Sequence, residues 1–149
     1  MNASSGFSLV EFIIVLGVTI LISGIVFANL FGSGQQQKLD AERDRFASAL
    51  QDARARAIAR EDGDQWNVYM DGQTEMYAVF AGTSYESGTT TDVVYLPTGV
   101  EFVSPTGTTT VAFTKGSGTT TAATFVIGRT ADQSASSTIT VDAGGAISY

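Results

Sequence analysis

The chain has 149 residues and a net charge of −7 at pH 7, and it contains neither cysteine nor histidine. This length leaves room for one modest domain beyond an apolar segment. The lack of cysteine excludes disulfides and thiolate chemistry, and the lack of histidine removes the commonest general base near neutral pH. The negative charge disfavours a polyanionic partner.

The N-terminal residues carry the most specific pattern. Gly6-Phe7-Ser8-Leu9-Val10-Glu11 precedes twenty uncharged, mostly apolar residues that end at Phe31. As a helix, residues 7–31 would measure about 37 Å, enough to cross a hydrocarbon core of ~30 Å. A carboxylate within a membrane helix costs about 2.5–3.5 kcal/mol, so Glu11 is a functional candidate that needs a cation. Cleavage after Gly6 would supply one, because it creates an ammonium group on Phe7.

This order of residues resembles the start of type IV pilins and type II secretion pseudopilins. The resemblance implies that residues 1–6 are a leader, which a prepilin peptidase removes between Gly6 and Phe7 before it methylates the Phe7 amine. It also implies that Glu11 directs assembly by pairing with the Phe7 ammonium of a neighbouring subunit. An ordinary signal-anchor helix, in which Glu11 reaches the lipid headgroups, is the alternative, but such an anchor does not need this order.

Two departures from the family pattern bear on the apolar segment. The leader has no Lys or Arg, so an orientation with the leader in the cytoplasm is implied by the family and not by flanking charge. The segment also lacks the proline that is characteristic of the family, which leaves Gly17 and Gly24 as its weak points. These two glycines lie seven residues apart, on roughly one helix face, where small residues permit close helix packing.

A second helical pattern follows the apolar segment. Gly32 and Gly34 interrupt the apolar run, and apolar residues then recur at helical spacing over residues 32–62. The members of this face are Leu39, Phe46, Leu50, Ala53 and Ala57. We expect one long helix from the leader boundary to about Arg60, locally weakened and flexible at Gly32–Gly34, with Gly63 as the stop.

From Gly63 to the C-terminus the period changes to two, and we predict a β-rich globular region over residues 63–149. Two alternating runs around Asp71-Gly72 indicate an antiparallel hairpin. Gly144-Gly145 indicates a second hairpin, between Thr138–Val141 and Ala146–Ser148. Long connections are expected at Gly82–Asp92 and Arg129–Ser137, and further strands at Val93–Leu96, Val100–Val103, Thr109–Thr114 and Ala123–Ile127. A helix followed by consecutive strands predicts an α+β, pilin-like fold with the helix packed on antiparallel sheet.

The segment Phe46–Arg60 resembles a particular branch of the superfamily, the H-type minor pseudopilins and fimbrial-T-type minor pilins. These share a Leu-x-x-Ala-Arg-x-x-Ala-Ile pattern, which Leu50–Ile58 matches, and many close with a glycine-containing hairpin, as Asp142–Ile147 does. For Ala53, Ala57 and Ile58 themselves, packing of the helix on the sheet is the simplest role.

Enzymatic and nucleic-acid roles find little support. Asp62, Asp64 and Asp71 are the available carboxylates near the helix end; capping or solvation is their ordinary role, and no calcium-loop motif accompanies them. We therefore predict no enzyme, no cofactor and no metal site. From Asp64 onward there are eight acidic residues against two basic ones, which disfavours binding to phosphates. The remaining basic cluster is Arg54, Arg56 and Arg60, where pairing with Asp52 and Glu61 is the favoured interpretation.

These observations predict a structural subunit of a type IV pilus or pseudopilus that is assembled through its hydrophobic helix. The family implies a single-pass inner-membrane protein with its globular region outside the cytoplasm, stored in lipid and then moved into an extracellular pilus or periplasmic pseudopilus. Implied partners are other pilins, in a homo- or hetero-oligomeric filament, the prepilin peptidase and an inner-membrane assembly platform. A minor pseudopilin of type II secretion, a DNA-uptake minor pilin and a membrane-anchored sensor or adhesin remain alternatives, and the abundance of the subunit stays open.

Overall fold

The computed structural model describes residues 8–61 and 65–149, with only the backbone described at residues 24–33. The chain divides into two units, Met1–Gln35 and a globular unit, Gln36–Tyr149. One long helix, α1, runs from Leu9 to Ala59. The predicted single helix is thus confirmed, and its backbone remains helical through Gly32–Gly34.

In the globular unit, α1 buries the predicted face. Leu39, Phe46, Leu50, Ala53 and Ala57 are all at most 1% exposed. Ile58 differs from the prediction, since 45% of it remains exposed. It lies one position, or about 100° around the helix, beyond Ala57 and faces the loop at Gly118.

The helix ends at Ala59, within one residue of the predicted end near Arg60, and a distant loop caps it there. Arg60 adopts a positive φ of 57°, and its N–H donates to the Ala57 carbonyl at 3.2 Å. The Gly116 N–H, from far along the chain, donates to the same carbonyl at 2.8 Å. The predicted stop at Gly63 lies outside the described residues. A cap from outside the local sequence satisfies helix carbonyls as a C-terminal glycine would.

Within the described residues, eight strands form two antiparallel sheets. The first has the order β3-β2-β1-β5 and the second the order β4-β6-β7-β8. Their bounds are β1 Trp66–Asp71, β2 Met76–Ala81, β3 Thr89–Tyr95, β4 Val100–Ser104, β5 Thr108–Phe113, β6 Ala123–Arg129, β7 Asp132–Val141 and β8 Ile147–Ser148. The α+β class, with the helix packed on antiparallel sheets, is confirmed.

Both predicted hairpins are confirmed, and the two long connections are shorter than predicted. β1 pairs with β2 from Trp66↔Ala81 to Asp71↔Met76, and β7 pairs with β8 around the Gly144-Gly145 turn. β3 begins at Thr89 rather than Val93, and β7 begins at Asp132 rather than Thr138. The extension of β3 is polar and exposed, and that of β7 is mostly so, with only Ala135 apolar; no alternation of large apolar residues therefore marks them as strands.

Phe46 lies at the centre of the core, between the two sheets. Its ring makes edge-to-face contacts with Tyr77 of the first sheet at 4.9 Å between centroids, and with Phe102 and Phe125 of the second sheet at 5.5 and 5.1 Å. The side chain is fully buried. One helical residue therefore connects α1 to both sheets.

Candidate functional site

The described start of α1 is an apolar surface. Large aliphatic and aromatic side chains from Leu9 to Ile22 are 45–74% exposed. They are Leu9, Val10, Phe12, Ile13, Ile14, Val15, Leu16, Val18, Ile20, Leu21 and Ile22. An apolar patch of this extent on a protein surface marks contact with another protein or with lipid. No helical segment of residues 8–61 and 65–149, as far as these are described, has both the length and the apolar character needed to cross a membrane.

The two described hydroxyl side chains within this surface are satisfied by the helix itself. The Thr19 hydroxyl donates to the Val15 carbonyl at 2.7 Å, and the Ser23 hydroxyl donates to the Thr19 carbonyl at 2.7 Å. Such bonds to the carbonyl four residues earlier remove the cost of placing a free hydroxyl in an apolar environment. These two hydroxyl groups are therefore compatible with a dry, helix-packed setting.

Glu11 lies in the first turn of α1, where the Phe12 N–H donates to the Ser8 carbonyl at 3.1 Å. A carboxylate in the first turn is favoured by the helix dipole. The other half of the predicted pair, Phe7, lies outside the described residues, as does Gly6. The pairing of Glu11 with a Phe7 ammonium therefore stays a prediction.

The predicted packing glycines all lie on α1. A Cβ added at Gly17 or Gly34 would have no neighbouring atom within 4 Å, so space is open at both positions. Gly24 and Gly32 belong to the continuous helical backbone, and their surroundings lie outside the described side chains. Open space at Gly17 leaves room for a second helix, while the predicted flexibility at Gly32–Gly34 is untested.

The arginines near the end of α1 hold loops of the globular unit. Arg56 forms ion pairs with Asp52 at 2.7 Å and Glu61 at 3.2 Å, and its guanidinium lies 4.7 Å from the centre of the Trp66 ring. The predicted pairing with Asp52 and Glu61 is thus confirmed for Arg56. These contacts occupy its guanidinium group.

The other two arginines show a role that the sequence did not predict. Arg54 donates to the Gly144 carbonyl at 3.2 Å, in the turn between β7 and β8. Arg60 lies against Gly116, where an added Cβ would come within 3.0 Å of its guanidinium. Their partners are far along the chain, so no local spacing indicates these contacts.

Asp71 is the one described residue among the three carboxylates considered for metal binding. Asp62 and Asp64 lie outside the described residues. Asp71 accepts hydrogen bonds from the Gln73 N–H and the Thr74 hydroxyl, both at 2.8 Å, which hold its pKa below the ordinary value and stabilise the β1–β2 turn. Within the described parts of the chain, no group of three or more acidic residues is placed to hold a metal ion.

The fold of the chain is similar to those of solved pilins and pseudopilins. The minor pseudopilin EpsH from the type 2 secretion system of Vibrio cholerae aligns with a TM-score of 0.59 at 16% identity, covering 74% of this chain and 94% of EpsH. The type IV minor pilin FimU of Pseudomonas aeruginosa aligns in one crystal form with a TM-score of 0.58 at 14% identity, covering 75% of this chain and 87% of FimU. A second FimU crystal form gives 0.56 at 15% identity. No protein-family model and no curated protein sequence matches the chain.

The structural alignments show that the fold is shared. At identities of 14–16%, they do not show that the activity is shared. The matches cover most of both known proteins. The neighbours are a minor pseudopilin and a minor pilin. The described part of this chain has the α+β fold of the pilins and pseudopilins.

Proposed function

We propose that this chain is a structural subunit of a type IV pilus or pseudopilus, assembled through the N-terminal part of α1. The observation that carries the proposal is the apolar surface from Leu9 to Ile22 on a chain with a pilin-type fold. This surface has no other described element packed over it in its own unit. In water it would be strongly unfavourable, since each large apolar side chain gains about 1.5–3 kcal/mol on full burial.

The apolar surface can be buried in two environments, first the membrane and then the core of the filament. Before assembly, residues 7–31 hold the subunit in the inner membrane as a single span, with the globular unit outside the cytoplasm. After assembly, the same helix packs against its copies in the core of the filament. Exchange of lipid for helix neighbours keeps the apolar side chains out of water throughout.

Glu11 sets the register in this scheme. A prepilin peptidase cleaves between Gly6 and Phe7 and methylates the new amine, and the Phe7 ammonium of one subunit neutralises Glu11 of the next. Removal of one partner of a buried ion pair costs about 3–5 kcal/mol, so staggers that leave Glu11 unpaired are disfavoured. The inner-membrane assembly platform and the peptidase are the partners that this route requires.

The two structural neighbours support the two forms of the proposal about equally. Similarity to EpsH favours a minor pseudopilin of a type II secretion system, and similarity to FimU favours a minor pilin. A DNA-uptake pilin is the weaker alternative, because Arg56 is occupied by Asp52 and Glu61. A mobility-shift titration of duplex DNA with the purified chain tests that alternative.

The proposal is tested on the protein extracted from its own membranes. We expect an intact mass that lacks residues 1–6 and carries one added methyl group, and we expect sheared surface or periplasmic material to contain this chain in fibres. Gly6→Leu should leave the leader in place and serves as the matched control. A wild-type protein that still begins at Met1 and never occurs in fibres would refute the proposal and favour a membrane-anchored sensor or adhesin.

A further inference from the structure

A groove lies between α1 and the outer strand of the first sheet. Its volume is about 280 Å³, and it is open to solvent along one side. The helix contributes one wall, β3 contributes the other, and β2 forms the floor. The lining includes Arg45, Ala49, Tyr77, Val79, Asp92 and Val94.

The floor of the groove holds a hydrogen-bonding group without a partner. Tyr77 is 1% exposed, and its hydroxyl makes no hydrogen bond to any residue that the structure describes. Burial raises the pKa of this phenol, so the group remains protonated and able to donate. Buried polar groups are normally paired, and a buried donor left unpaired is unfavourable. The groove therefore offers a donor to an incoming oxygen atom.

The walls carry charges of opposite sign. Arg45 on the helix and Asp92 on β3 take part in none of the ion pairs found among the described residues. The two other charged residues in the lining, Asp52 and Arg56, pair with each other at 2.7 Å. The formal charges of the lining cancel, so neither a free anion nor a free cation is favoured. A neutral side-chain group that both accepts and donates, such as an amide, fits better, because its oxygen accepts from Tyr77 or Arg45 and its N–H donates to Asp92.

The strand that bounds the groove has a free edge. β3 is the terminal strand of its sheet, and within the described residues nothing pairs with its outer side. Residues 89–93 are exposed, so their outward backbone groups are accessible to another strand. An extended peptide that adds to such an edge gains main-chain hydrogen bonds, and its alternate side chains enter adjacent pockets. The charge of Asp92 and the bulge in β3 opposite Val79 and Phe80 hinder pairing of this edge with arbitrary strands.

We propose that an extended segment of a neighbouring subunit binds along β3 as a fifth strand and places one side chain in the groove. The apolar part of that side chain would lie on Ala49, Val79 and Val94, with an oxygen atom bonded to the Tyr77 hydroxyl. The inference rests on the proposed function, because it takes its partner from the filament. It adds a contact between globular units to the packing of the N-terminal helices.

Site-specific photo-crosslinking in the full chain tests the contact. A photoreactive phenylalanine replaces Thr90, an exposed residue of β3, and in a matched control it replaces Thr138, an exposed residue of β7. The crosslinked fraction is measured in sheared fibres, and the captured protein is identified by mass spectrometry. We expect Thr90 to capture another pilin subunit and Thr138 to capture far less.

A charge reversal makes the test specific for the groove. Asp92→Lys should reduce the Thr90 crosslink by about tenfold, which corresponds to about 1.4 kcal/mol of binding free energy. Glu86→Lys, an equal charge change on an exposed loop residue, should leave it unchanged. Equal capture at Thr90 and Thr138, capture of a protein that is not a subunit, or a crosslink insensitive to Asp92→Lys would overturn the inference while fibres still form. Loss of fibres from the wild-type chain would instead refute the proposed function, and this inference with it.

Discussion

Phe46→Ala should remove most of the stability of the globular unit. Phe46 is fully buried and makes three edge-to-face ring contacts that join α1 to both sheets. Truncation of a buried phenylalanine to alanine costs about 3–5 kcal/mol, and each aromatic pair contributes about 0.5–1.5 kcal/mol beyond buried area. Because all three contacts are lost together, we expect a loss of about 4–5 kcal/mol in the free energy of unfolding, at the upper end of the range for such truncations. The free energy of unfolding of a typical domain is only about 5–15 kcal/mol.

Urea unfolding of the full chain in mild detergent measures this loss. Trp66 is the single tryptophan, is 2% exposed, and donates its ring N–H to the Glu61 carbonyl at 3.1 Å, so its fluorescence reports on unfolding near the helix end. Phe46→Leu should cost only about 1–2 kcal/mol, since it keeps much of the apolar volume. Phe12→Ala, at a position that is 61% exposed, should leave the transition unchanged. A loss below about 1 kcal/mol for Phe46→Ala would contradict the central role of this side chain.

Two further predictions concern turns of the globular unit. The Glu75 carboxylate accepts the Phe102 N–H at 2.7 Å, and burial raises its pKa above the ordinary 4.5. The folded state thus binds this proton more tightly than the unfolded state, so the charged carboxylate destabilises the fold at neutral pH. Glu75→Gln keeps an acceptor and should raise the melting temperature at pH 7. The gain should be lost as the pH falls below 4.5, because Glu75 is then protonated in the folded and the unfolded state. An equal gain at pH 7 and below pH 4.5 would contradict this explanation. Gly145→Ala should cost about 1–3 kcal/mol, because Gly145 has a φ of 79° and an added Cβ would collide with the Gly118 carbonyl. Gly144→Ala, without a positive φ, should cost far less, and equal melting temperatures for the two variants would exclude this explanation.

Local patterns in the sequence predict the parts of the fold that local physics determines. The buried face of α1 follows from helical spacing, and the β1–β2 hairpin follows from alternation around Asp71-Gly72. The polar beginnings of β3 and β7 could not be predicted in this way. None of these residues is buried and most are exposed, so pairing with neighbouring strands, rather than burial, makes them extended.

Features that depend on distant residues could not be predicted from local pattern at all. β5 pairs with β1 although three strands, β2 to β4, lie between them in the chain, and this pairing assigns β5 to the first sheet. The cap on Ala57 from Gly116 and the bond from Arg54 to Gly144 join residues far apart in sequence. The same limit applies to the groove beside β3, since its walls come from a helix and a strand that are separated in the chain.

The assignment of the proposed assembly site rests more on the order of residues in the sequence than on the fold. The structure gives the helical context of Glu11 and the exposed apolar surface that follows it. The leader boundary at Gly6 and Phe7 lies outside the described residues, so processing and the ion pair remain predictions. Their support is the order of residues, together with the pilin-type fold.

The yield of sheared fibres from Glu11→Ala tests the central claim most directly. Gly17→Ala provides the control, because it changes the same helix at a position with open space. We expect Glu11→Ala to be cleaved normally, as judged by intact mass, and to give few or no fibres, while Gly17→Ala gives a smaller reduction. Fibre yield from processed Glu11→Ala equal to that of the wild type would contradict the claim that this carboxylate pairs with a neighbouring N-terminus.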